Sequence, residues 1–288
     1  MNHFSKEIES IISGKTMKDE NFPVSSFLIS KKHRNHIFNL YYFARVSDDI
    51  ADNKHLSTRE KKKLLTEFDS ILRKKSLSNH IFINNLIRSI KITHNDIKYP
   101  RNLLVAFKQD SEKNRYKNWS ELINYCSYSA SPIGRYVVDL HNLKKKNTNE
   151  VMKKIYKGCD NLCNCLQILN HIQDCKEDFE EMNRVYIPED YFKSSKISIE
   201  KMLIPKNRKK ILMIFKKCLN KVEVLLDDSI ENIKLINDYR LKRETYVIFN
   251  IAKKLTKLLI NNDPIKKKIK LSHIDLFFCF FKGIVGRL

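Results

Sequence analysis

Apolar positions recur three and four residues apart along most of the chain, the period of an amphipathic helix, and no stretch alternates strictly between apolar and polar residues. The pattern predicts a short leading helix within residues 1–20, then helices over 31–52, 58–76 and 79–91. Another begins near Tyr99 and runs to about Lys108, ahead of a polar loop over 109–116. The helix that opens at Trp119 carries Pro132 and Gly134, which predict a bend or a break. After a polar linker at 144–150, one long helix is expected over 151–178, then a loop to Pro188 and a short turn from Glu189. Helices over 198–204, 206–236, 239–261 and 271–286 complete the chain. The fold class is therefore all-α.

Composition supports this picture. Only 5 Gly and 6 Pro occur among 288 residues, so obligatory breaks are few. With 42% hydrophobic residues the chain can build one sizeable core, and residues 1–288 are expected to form a single domain. The net charge of +22 invites nucleic-acid binding, but Lys is spread over nearly every helix and its runs (Lys61–Lys63, Lys144–Lys146, Lys266–Lys268) are short and separated. No zinc-finger, RNP or basic-zipper pattern accompanies them, so no nucleic-acid partner is expected. Lys on solvated faces accounts for the charge, with attraction to an anionic membrane surface as the next explanation. Seven Cys and an N-terminus without an apolar run read as a cytoplasmic chain with reduced thiols. Cys159, Cys163 and Cys165 lack a zinc spacing and read as small core residues.

The chemistry concentrates on two helix faces. Gln167, Asn170, Asp174 and Asp178 fall within a stripe about 80° wide on one helix. Tyr41, Arg45, Asp48 and Asp52 share a second stripe more than 120 residues upstream. Two D-x-x-x-D helices suggest carboxylate faces looking at each other across a cavity. Such a cluster repels itself unless cations sit within it. Mg²⁺ is the natural filling, because it prefers oxygen, keeps some water and is completed by substrate phosphates. Arg45 has two readings: a helical ion pair, or a fork onto a diphosphate. The second is favoured by its neighbours. Arg184 follows Asp178 closely enough to fold back over the cation site. Ser25 and Ser26 either cap the helix that follows or, with Phe22, face a ligand. Tyr125 and Tyr128 precede the bend at Pro132. The tail Leu276–Gly286 is very apolar, too short to span a bilayer, and reads as a core-packed helix or, alternatively, one lying on a membrane surface.

Five segments, in order, resemble the squalene and phytoene synthases: Phe22-Pro-Val-Ser-Ser, Tyr41-x-x-Ala-Arg-x-x-Asp-Asp-x-Ala-Asp52, Tyr125-Cys-x-Tyr-Ser-Ala-x-Pro-Ile-Gly134, Leu166-Gln-x-x-Asn-x-x-Gln-Asp-x-x-x-Asp178 and Arg184-Val-Tyr-Ile-Pro188. The resemblance covers about residues 20–275 and is nearest to the bacterial hydroxysqualene synthases of hopanoid biosynthesis. Gln173 stands where many relatives carry Arg, and Asn183 where the loop usually has Gly.

The resemblance implies a helical bundle around a central apolar cavity. It implies two or three Mg²⁺ held by Asp48, Asp52, Asp174 and Asp178, with Arg45 and Arg184 on the diphosphate. Phe22, Tyr41 and Tyr128 would line the path of a carbocation, Gln167 and Asn170 would complete the polar lining, and Ser25 and Ser26 would contact substrate. The implied reaction turns presqualene diphosphate and water into hydroxysqualene, with NADPH not expected. Condensation of two farnesyl or two geranylgeranyl diphosphates is the alternative. Two further alternatives are a non-catalytic subunit and a basic membrane- or nucleic-acid-binding module, which leaves both aspartate stripes unexplained.

Overall fold

Ser57, Asn118, Thr148, Asp238 and Ser272 each open a helix by accepting a hydrogen bond from a first-turn amide, which fixes where these five helices begin. Ser57 and Ser272 complete reciprocal capping boxes with Glu60 and Asp275. The computed structural model describes residues 28–288. Its α-helices are α1 (Lys31–Asp52), α2 (Thr58–Lys74), α3 (Ile81–Thr93), α4 (Lys98–Asp110), α5 (Trp119–Ser129), α6 (Ser131–Leu140), α7 (Asn149–Gln173), α8 (Cys175–Met182), α9 (Glu189–Ser194), α10 (Arg208–Ile233), α11 (Tyr239–Asn261) and α12 (His273–Val285). No strand occurs among the described residues beyond one isolated parallel bridge, Arg115 to Val185. The leading segment, including Phe22, Ser25 and Ser26, lies outside the described residues.

Helix α7 is the axis of the fold. It packs against α5, α6, α10 and α11, and α10 is its main partner. Helix α1 packs on α2, α3 and α4, and α4 hands over to α5 and α6, which reach α7. One continuous apolar core joins these helices, from Phe43 and Phe68 at one end to Phe215 and Phe249 at the other. Close approach of α7 and α10 depends on Gly158. A Cβ there would stand 2.6 Å from Asn232 Cβ and 3.1 Å from the Ile233 backbone nitrogen. Gly158→Ala is therefore expected to lower stability by about 1–3 kcal/mol, overpacking outweighing the gain of up to about 1 kcal/mol in helix propensity. Urea denaturation measures this, and an unchanged or raised midpoint would refute the close-packing account.

Several boundaries differ from expectation for physical reasons. The helix expected over 151–178 breaks at Asp174, whose backbone (φ −98°, ψ 2°) leaves the helical region before α8 resumes. The break at Ala130 ends α5, and Pro132 sits in the first turn of α6, where its missing N–H costs nothing. The 198–204 segment is only a 3₁₀ turn, Ile199–Lys201. Asp110, expected in a loop, is the last residue of α4 and buried. The tail helix is not core-packed on all sides: Phe277, Phe278 and Phe281 are exposed.

Candidate active site

The last three turns of α1 carry Tyr41, Arg45, Asp48 and Asp52 on one face, as their spacing predicts. Arg45 lies 3.3 Å from Asp48 and 2.9 Å from Asp49, a buried carboxylate that the stripe did not include. Burial, then the nearby Asp52 carboxylate, pushes the Asp48 carboxyl well above the usual carboxylate range, against the pull of Arg45.

The second pair flanks the joint between α7 and α8. Asp178 is pushed up to about 8, by burial first, then by Asp174 and, across the gap from α1, by Asp52. That repulsion ties the two helix faces into one acidic site. Backbone hydrogen bonds from Asp174 to Asn170 and from Asp178 to Asp174 carry the helical register through the joint; Asp178 then stands within reach of Asp52 on α1, while Asp174 pairs with Lys268.

Arg184 closes the site. Its Nη1 donates to Asp52 Oδ1 (2.9 Å) and to the Tyr186 hydroxyl (3.1 Å), and its Nη2 to the Asp110 carbonyl (2.9 Å). The loop that carries it is stapled to the segment after α4: Val185 donates to Asn114, Glu189 to Tyr116 and Asp190 to Lys117. The Arg115 guanidinium bonds both the carbonyl and the side chain of Asn183. Asn183 adopts a left-handed backbone (φ 48°), a conformation that Gly and Asn accept most readily, which explains Asn at a position where relatives usually have Gly.

Beneath Arg184 lies a hub that sequence reasoning missed. The Asp110 carboxylate accepts from Tyr125 (2.8 Å) and Tyr186 (2.9 Å). Burial pushes it up to about 6, while Arg184 and the two hydroxyls pull the other way. Tyr186 stacks on His171 (3.5 Å between centroids) and on Tyr116 (5.4 Å). His171, lowered to about 3 by burial and then by Arg184, stays neutral. Asp110 stands in a polar run that reads as loop, so its one signal was its place at the end of an apolar-periodic helix.

A second missed residue is Lys268. It belongs to a basic run that reads as solvated surface, yet its Nζ lies 2.5 Å from Asp174 and 3.6 Å from Glu177. Gln173, where many relatives carry Arg, donates 2.5 Å to the Ile269 carbonyl and so fixes the same segment. A cleft of about 280 Å³ opens here between α8 and the 264–268 segment.

The remaining candidates take different places. Asn170 and Gln167 are half-buried upstream of Asp174 on α7, and Gln167 lies 3.3 Å from His171 Nε2. Tyr41 is half-buried on α1. Tyr128 packs half-buried against the core and shares no hydrogen bond or ion pair with the aspartates. Phe22, Ser25 and Ser26 lie outside the described residues.

The donor set suits Mg²⁺. Among the described residues no three His, Cys, Asp or Glu side chains converge tightly enough to hold a metal by themselves. Mg²⁺ favours oxygen donors such as these carboxylates, and it commonly takes one or two of them and fills its octahedron with water and phosphate oxygens.

Comparison with known proteins places this geometry in a family. A sequence model described as squalene/phytoene synthase matches residues 16–274, and the chain belongs to that family. A hydroxysqualene synthase from Sinorhizobium fredii is 35% identical over 259 residues, covering 90% of this chain and 86% of that protein. One from Zymomonas mobilis is 35% identical, covering 97% of this chain and 92% of the relative. The fold matches a squalene synthase from Alicyclobacillus acidocaldarius with a TM-score of 0.72 at 20% identity, covering 88% and 91% of the two chains. A dehydrosqualene synthase crystallised with a ligand matches at 0.73 and 18%, over 96% and 94%.

Proposed function

We propose that the chain converts presqualene diphosphate and water into hydroxysqualene and diphosphate. The observation that carries this is the acidic site that Arg184 ties together, its backbone amide on the Asp178 carbonyl and its guanidinium on Asp52, in a chain about a third identical to hydroxysqualene synthases over nearly its full length. Bound Mg²⁺ would supply charge neutralisation for a departing diphosphate.

The chain's own residues do the rest. Asp48, Asp52, Asp174 and Asp178 would hold the ions. Arg45 and Arg184, which pair with Asp48 and Asp52, fork onto diphosphate oxygens, exchanging those carboxylate partners for phosphate as the C–O bond breaks and the leaving group takes the electron pair. The Asp110–Tyr186–Arg184 network fixes the angle of that fork. The aromatic faces of Tyr41 and Tyr128, with Phe22, shield and stabilise the rearranging cation until one water adds its oxygen and loses a proton. Asn170 and Gln167 orient polar groups beside it, and Ser25 and Ser26 contact the substrate. NADPH has no role in this balance, because the cation is quenched by water rather than hydride. Among the described residues no helix is long and apolar enough to cross a membrane. A substrate this apolar is met at a membrane surface, so a peripheral location on its cytoplasmic side belongs to the proposal.

Product analysis tests it. The purified protein with Mg²⁺ and presqualene diphosphate is expected to release hydroxysqualene without NADPH. A hydrocarbon product, or turnover of farnesyl or geranylgeranyl diphosphate alone, would replace this reading with squalene or phytoene synthesis.

A further inference from the structure

Helix α12 packs one face and leaves the other uncovered. Its inner side carries Cys279 and Gly283, seated on Val247 and Ile251 of α11; a Cβ at Gly283 would stand 2.6 Å from the Val247 backbone nitrogen. Its outer side carries Ile274, Phe277, Phe278, Phe281 and Val285, a stripe about 100° wide. These five are 69%, 64%, 56%, 55% and 45% exposed. Five large apolar side chains held outward on one short helix form a patch, unlike exposed apolar residues scattered singly.

The charge around this patch selects its partner. Residues 264–288 contain six Lys or Arg and one acid, Asp275. Lys254 neutralises that acid at 2.9 Å. Lys270 before the helix, Lys282 within it and Arg287 after it are all exposed. An apolar stripe edged by cations, on a helix too short to span a bilayer, is the pattern of a segment that lies in the plane of an anionic membrane surface. The helix also continues directly from the 264–271 segment, whose Lys268 reaches Asp174. The docking face and the acidic site are therefore covalent neighbours.

We infer that the outer face of α12, led by Phe277, Phe278 and Phe281, docks the protein on anionic lipid, with Lys270, Lys282 and Arg287 on the headgroups. This deepens the membrane-surface part of the proposed function and rests on it. Its test reads vesicle binding rather than turnover, so the two fail separately.

The full chain is floated with vesicles of phosphatidylcholine plus phosphatidylglycerol, and with phosphatidylcholine alone, at physiological salt. The same preparations are assayed with presqualene diphosphate in detergent. The wild type is expected to float with the anionic vesicles. The triple variant Phe277→Ser, Phe278→Ser, Phe281→Ser should lose more than about tenfold in partition. Replacing Lys270, Lys282 and Arg287 by Gln should cost about fivefold per charge on the anionic vesicles only. Met213→Ser with Val224→Ser, two exposed apolar positions on α10, should float as the wild type does. All variants are checked for helix content, and detergent turnover should be unchanged, since every substituted side chain is exposed. Failure of the wild type to float, equal flotation of the triple variant, or loss in the α10 control would overturn the inference. So would a concentration-dependent dimer in sedimentation that the triple variant dissolves, because a second copy would then be the occupant.

Discussion

Asp178→Asn is expected to leave the metal-free protein more stable at pH 8 and almost inactive. Both effects follow from one fact: burial, then Asp174 and Asp52, pushes the Asp178 carboxyl up to about 8, far above its ordinary 3.8. A raised carboxyl is protonated in the folded chain and ionised in the unfolded chain throughout the window between those values. Stability is then full below about pH 4 and falls as pH rises towards 8. Asn removes the charge and with it the decline. The gain at pH 8 should be on the order of 1–2 kcal/mol, discounted for solvent at the half-open mouth. It should vanish near pH 4. Turnover moves the other way, by a loss of about 10²–10³-fold, since the substitution removes the negative charge and one of the two oxygens that would hold the ion balancing the leaving group. Urea titrations from pH 4 to 8 in chelator, beside product assays in Mg²⁺, measure the pair. Mg²⁺ should raise the midpoint of the wild type at pH 8 and do so much less for the variant. A variant that is less stable at pH 8, or that turns over normally, would show that Asp178 serves the fold rather than the cation site.

That opposition of stability and activity also explains which parts of the site were legible in the sequence. Helix periodicity and the four-residue spacing of the Asp48/Asp52 pair are local properties that α1 carries into the structure unaltered, whereas the Asp174/Asp178 pair straddles a joint the pattern did not show. Arg184 follows Asp178 within one loop, so its return over the site was legible too. Asp110 and Lys268 were not, because their value is set by partners far along the chain. Asp110 is defined by Tyr125, Tyr186 and Arg184, and Lys268 by Asp174. No periodicity reports a contact between a polar run and a distant loop. The break at Asp174 was hidden for a different reason. Nothing in Ile172-Gln-Asp-Cys175 disfavours helix; the turn is bent where the chain passes from packing on α10 to facing α1 across the acidic gap. The outward phenylalanines of α12 were undecidable from pattern alone, since a stripe facing core and a stripe facing lipid have the same period.

Arg184→Ala is expected to cost about 3–5 kcal/mol of stability, the largest single-residue loss at the site. Arg184 is 6% exposed and makes charged or polar contacts with three residues at once. Its removal leaves Asp52 facing Asp178 with no intervening cation, and leaves the Asp110 carbonyl without that donor. The Asp110 carboxyl, already pushed up to about 6 by burial, loses the strongest influence holding it down and rises further. The loss should therefore be smaller at pH 5, where more of the crowded carboxyls carry protons, than at pH 8. Arg184→Lys separates charge from geometry. An ammonium can neutralise Asp52 but cannot fork to Asp52, Tyr186 and the Asp110 carbonyl together, so it should recover roughly half of the lost stability and little of the lost turnover. A double-mutant cycle with Asp52→Asn isolates the ion pair, with an expected coupling of about 1–3 kcal/mol. If Arg184→Lys restored turnover fully, the fork would be dispensable and the residue would act as a point charge. If Arg184→Ala unfolded at the wild-type urea midpoint at pH 8, the buried network would contribute nothing to the fold, and the ordering of the 183–188 loop would have to be assigned to its backbone staple with Asn114, Tyr116 and Lys117 and to the Arg115 clamp on Asn183.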